Sequence, residues 1–182
     1  MSIEPFIITL KLALINSAVL LLVAVPIAYL FAFKKWKGKV ILESIFMLPI
    51  VFPPTVLGFY FLVFLGPNTS IGAFFSKYFN IEFAFSFEGI LLGSMIYCFP
   101  FMLTPIINGF REIPKSIVES TYLLKKSRWS ALKKVYLPIA KPSIVSGILL
   151  TFAHTIGEFG IILMIGGKMA ETTTASLAIY DE

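Results

Sequence analysis

The sequence predicts an all-α, polytopic membrane protein, and three observations carry that prediction. The first is composition: 58% of the 182 residues are hydrophobic, 14% are charged, and 19 are Phe. Soluble chains carry about 25% charged residues, and the mean hydropathy here is +0.90. That much apolar surface cannot be buried inside a chain of this length, so a bilayer must cover the rest. The second is the length of the apolar runs, four of which reach the roughly 20 residues a bilayer crossing needs. The third is the placement of charge, since 12 of the 15 Lys and Arg residues fall in two groups between apolar runs. A net charge of +5 spread over a surface would suggest nucleic acid. Clustered between apolar runs, it suits the cytoplasmic loops of a membrane protein instead.

The chain reads as one domain over 1–182. The first apolar run extends from about Phe6 to Phe33. No basic n-region or small-residue cleavage site precedes it, so it is expected to be a retained helix. Lys34, Lys35, Lys37 and Lys39 follow. The second run, about Val40 to Leu65, contains Pro49, Pro53 and Pro54, then Gly58. These residues interrupt helical hydrogen bonding and predict a kink or an unwound stretch. A simple bent helix and a broken helix lining a transport site both remain open. The Gly66–Glu88 loop holds helix breakers, aromatics and Lys77. The third run, Gly89 to Phe110, carries Pro100, Pro105 and Asn108, and the fourth runs from Ile139 to Ile165. The lysine-rich loops belong in the cytoplasm, which places the N-terminus outside. Cys98 is the sole cysteine and lies in an apolar run, so neither a disulfide framework nor a metal motif is expected.

Residues 111–138 form the most informative stretch, REIPKSIVESTYLLKKSRWSALKKVYLP. Ser116 followed by Glu119 fits a capping box and predicts a helix start. Ile117, Thr121 and Leu124 share a helical face, and Trp129, Leu132 and Tyr136 make a second stripe. The pattern fits a basic helix on anionic headgroups, or a docking knob for a soluble partner. In the fourth run, Thr151, His154, Thr155 and Glu158 stand at i, i+3, i+4 and i+7, one polar stripe on an apolar helix. Ionisable groups in a membrane face a bundle interior or water. The stripe is therefore either a polar pair packed between helices or part of a translocation path. Ser143, Gly147, Gly157 and Gly160 are small enough to be helix-packing positions.

The loop resembles the EAA loop of ABC importer permeases. That motif reads Glu-Ala-Ala, a Gly four residues on, and Leu-Pro downstream. Glu119-Ser120-Thr121 and Leu137-Pro138 stand at the corresponding places, and Arg128-Trp129 also fits. Lys125 replaces the usual Gly, which bears on the turn between the short helices. The resemblance implies a type I importer permease bundle acting as a homodimer. It implies that Glu119, Thr121, Leu124, Arg128 and Trp129 contact a cytoplasmic ATPase subunit. No GxxxxGK[ST] occurs in the chain, so no P-loop is present. The resemblance therefore puts ATP and Mg on that separate partner, with no cofactor and no catalytic activity here. An external oxyanion-binding protein is the other implied partner. Two stretches, Leu48–Gly72 with LPIVFPPTVLGFY and Gly157–Gly167 with GEFG, resemble the molybdate permease group. Sulfate, thiosulfate and tungstate permeases are near alternatives. A membrane enzyme using His154 and Glu158, or a non-transporting assembly factor, are rivals from other classes. That group carries a fifth spanning helix after a stretch ending in LAIY, so the resemblance implies that the chain is cut short at Glu182.

Overall fold

A computed structural model describes residues 3–124, 127–167, 169 and 171–181, and every regular element among them is helical. Helix α1 spans Glu4–Phe33, 30 residues, about 45 Å at 1.5 Å per residue. Helix α5 spans Phe87–Arg111. These two are long and apolar enough to cross a membrane by themselves.

The other two apolar runs are broken. Between them, α2 (Lys39–Val51) and α3 (Pro54–Leu65) turn by 107°. Phe52 and Pro53 hold extended backbone, and Pro54 opens α3. The residue before a proline is driven out of the helical region, so the Pro53–Pro54 pair makes this bend. Pro49 lies inside α2 without ending it. Each half is about 20 Å long, too short to cross the roughly 30 Å core on its own. The fourth run bends by 75° at Ala140, between α8 (Leu137–Ile139) and α9 (Lys141–Gly157). It breaks again at Glu158–Phe159 before α10 (Gly160–Gly166). The described helices thus supply two spans, or four if each bent pair is counted as one.

Helices α1, α5 and α9 form the central packing unit. Ala13, Ala24 and Ala28 on α1 are fully buried, and such small residues let membrane helices approach closely. Gly58 belongs to this packing and not to the break. A Cβ there would stand 2.7 Å from Met164 Cβ, so the glycine lets α3 lie directly on α10. Ser143 and Gly147 likewise pack inside the chain, Ser143 against Gly109 of α5 and Gly147 against Met102. Their small size is used by α5–α9 contact within one chain. Helix α4 (Ser70–Phe79) joins α3 to α5, and α11 (Ala175–Tyr180) packs on α1 and α9.

Candidate functional site

The loop between α5 and α9 folds into α6 (Lys115–Leu123), α7 (Arg128–Ala131) and a π-helical turn over Leu132–Tyr136 leading into α8. Ser116 lies within α6 and its carbonyl accepts from Ser120 Oγ at 2.7 Å, so the expected capping box is not formed. The cap that does form belongs to Ser127, whose Oγ accepts from Ser130 N at 3.2 Å and starts α7. Sequence reading missed it because a four-residue helix leaves no periodicity to detect.

The loop is fixed from behind by an aromatic latch. Tyr136 is buried and stacks on Phe33 at the end of α1, with centroids 4.7 Å apart. Thr121 Oγ donates to Val118 O at 2.7 Å, which leaves the Tyr136 hydroxyl to donate to Thr121 Oγ, also at 2.7 Å. Thr121 is therefore turned inward and buried, whereas a contact role calls for an outward side chain. Glu119, Ser120, Leu124, Arg128 and Trp129 are exposed. The second stripe splits: Leu132 and Tyr136 face inward, while Trp129 points out and is 63% exposed. Lys133 Nζ lies 4.7 Å from the Trp129 ring centroid, a cation–π contact that steadies the indole. Leu123, 83% exposed, is an outward apolar side chain that the sequence reading passed over. Its signal was the Leu-Leu pair set beside lysines. Leu137 is half-buried and Pro138 exposed at the start of α8. Lys125 lies outside the described residues.

The polar stripe of the fourth run is a knot inside the bundle. Asn16 Nδ2 donates to Thr155 Oγ at 2.7 Å, Cys98 Sγ lies 3.5 Å from the same oxygen, and Thr155 Oγ donates to Thr151 O at 2.8 Å. One threonine hydroxyl thereby ties α1, α5 and α9 together. Thr151, Thr155 and Glu158 are buried. Glu158 accepts from Ile161 N at 3.0 Å, so its carboxylate caps the start of α10. His154 is held against the rings of Phe101 and Tyr97, at 4.2 and 5.1 Å. Its Nε2 lies 3.8 Å from Glu158 Oε2, within ion-pair reach but without a hydrogen bond. Asn16 Oδ1, Ser17 Oγ, Ser94 Oγ and Thr151 Oγ are buried and have no hydrogen-bond partner among the described residues, which is costly in a packed interior.

The spanning helices and the loop they carry correspond to a known group. Residues 24–182 match the family described as "Binding-protein-dependent transport system inner membrane component". This chain belongs to that family. It is a multi-pass inner-membrane permease component. The molybdenum transport system permease protein ModB of Azotobacter vinelandii is 38% identical over 95% of this chain and 77% of its own length. The ModB protein of Escherichia coli K12 is 32% identical over 93% of this chain and 76% of its own. A probable sulfate transport permease of Chlorella vulgaris is 27% identical over 98% of this chain. The fold is shared with a bacterial ABC transporter that imports the polysaccharide alginate, with a TM-score of 0.66 at 21% identity. That match covers 97% of this chain and 56% of the other.

Proposed function

We propose that the chain is the membrane-spanning permease subunit of an ATP-driven importer of molybdate. The observation that carries the proposal is the loop, where exposed Glu119, Leu124, Arg128 and Trp129 stand on a base locked to α1 by Tyr136 and Phe33. A knob that is rigid behind, with exposed apolar and charged side chains in front, can transmit a push, whereas a loose basic loop would absorb it. Similarity to molybdenum permeases from several bacteria supports the choice of substrate. The partner on the loop is a cytoplasmic P-loop ATPase, which binds ATP and Mg. A second copy of this chain completes the path, and an external binding protein delivers the anion. The N-terminus then faces outside.

ATP binding would close the ATPase pair, move the two loops together and tilt α9, which follows the loop directly. The knot at Thr155 is where α1, α5 and α9 must slide, and its unpartnered polar atoms lower the cost of repacking there. Of the four stripe residues, His154 is the one with appreciable exposure, so it is the one proposed to face the path. Glu158 is buried and engaged with α10, so it is not proposed to face the anion.

The test is uptake into vesicles holding this chain with its ATPase and binding protein. ATP-dependent accumulation of molybdate, resisting excess sulfate, supports the reading. Sulfate or thiosulfate outcompeting molybdate would assign it to the sulfate branch, which the Chlorella relative favours. Tungstate competing equally would leave the two tetrahedral anions as joint substrates.

A further inference from the structure

We propose that the groove between the C-terminal end of α1 and the start of α2 is a binding site for one anionic phospholipid. The groove encloses a cavity of about 690 Å³. Its walls are apolar, built from Leu30, Leu42 and Phe46, and its rim carries Lys34, Lys35 and Trp36. Phe31 forms the floor, packed edge-on against Trp36 at 5.7 Å and against Phe46 at 5.8 Å. Gly38, at φ +89°, makes the left-handed turn between the lysines and α2.

The charge pattern selects the occupant. No carboxylate lines the groove. The acid nearby on α2, Glu43, is bound to Arg111 at 2.8 Å. Two ammonium groups over an apolar trough fit a phosphodiester headgroup with its acyl chains below. A free phosphate would leave the trough unfilled. Tryptophan at this position is also the residue that membrane–water boundaries favour. Basic pockets between helices at the cytoplasmic side bind anionic headgroups, each lysine adding about a fivefold preference.

Trp36 supplies the readout. In a Trp129→Phe background it is the only tryptophan, so its quenching by brominated acyl chains reports lipid in the groove. The full chain in mixed micelles is expected to be quenched more strongly by brominated phosphatidylglycerol than by brominated phosphatidylcholine. Lys34→Ala with Lys35→Ala should reduce that preference by about fivefold per lysine. Lys37→Ala, which removes the same charge outside the groove, should leave it intact. Native mass spectrometry of the unsubstituted chain should show one retained phosphatidylglycerol. Equal quenching by the two lipids overturns the proposal. So does a Lys37→Ala effect as large as the per-lysine effect of the Lys34→Ala, Lys35→Ala variant, which would mean diffuse charge only. Reversal of the quenching by inorganic phosphate would mean an anion site and no lipid site.

Discussion

Glu158 and Tyr136 are polar side chains whose local bonds decide what they can do. Glu158 sits 4% exposed, with one carboxylate oxygen on Ile161 N and its carbonyl accepting from Ser176 Oγ at 2.7 Å. A carboxylate at a helix start accepts a charge-assisted bond and offsets the unpaired amides there. Glu158→Ala should therefore cost about 1–2 kcal/mol, in the range of a lost cap. Glu158→Gln, which keeps an acceptor, should cost less and retain uptake. Cys98 is fully buried and the only cysteine, so labelling by a thiol-reactive dye during heating measures both variants. Loss of uptake in a stable Glu158→Gln protein would instead put the charge on the path. Tyr136→Phe removes only the hydroxyl that donates to Thr121 Oγ. It should destabilise the loop by about 1 kcal/mol, seen as faster amide exchange over α6 while α5 stays protected.

At the scale of elements, the helices were legible where one physical rule acted alone. The runs now seen as α1 and α5 follow from apolar length, and the α2–α3 bend follows from Pro53–Pro54. The loop's helices were placed by periodicity, but their inner and outer faces were not. The sequence cannot show that Tyr136 meets Phe33, because that stack joins residues about a hundred positions apart. The same applies to Thr155, whose partners Asn16 and Cys98 come from two other helices. Gly58 was read as a helix breaker because glycine's packing role is invisible without its neighbour on α10. The distinction is testable. Gly58→Leu should drive side-chain atoms into Met164 and cost about 1–3 kcal/mol by overpacking. Gly157→Ala meets nothing within 4 Å and should be neutral or stabilising by up to about 1 kcal/mol, as helix propensity favours alanine. Thermal unfolding of the two variants in detergent separates packing from backbone freedom. Equal effects would return Gly58 to the breaker role.

At the scale of the whole molecule, the proposed function asks how an ATPase subunit would drive this chain through its loop. Two requirements must be met on one loop: grip on the partner and stiffness toward the membrane. In the proposed mechanism they fall to different side chains. Trp129 is exposed at the tip and contributes to no buried cluster, while Tyr136 is buried at the base. An aromatic anchor at an interface carries about 2 kcal/mol or more of binding. Trp129→Ala should therefore weaken association with the ATPase subunit roughly 30-fold, with no change in the thermal midpoint of the permease alone. Tyr136→Phe should bind the ATPase with less loss of affinity than Trp129→Ala, because Tyr136 itself is buried. Its deficit should show as less anion carried per ATP hydrolysed, since a loosened base lets the loop move without moving α9. Measuring affinity and transport stoichiometry on both variants separates grip from lever. If Tyr136→Phe lost affinity while keeping stoichiometry, the latch would be shaping the docking face, and force would have to reach the membrane helices by a route other than α1 and α9.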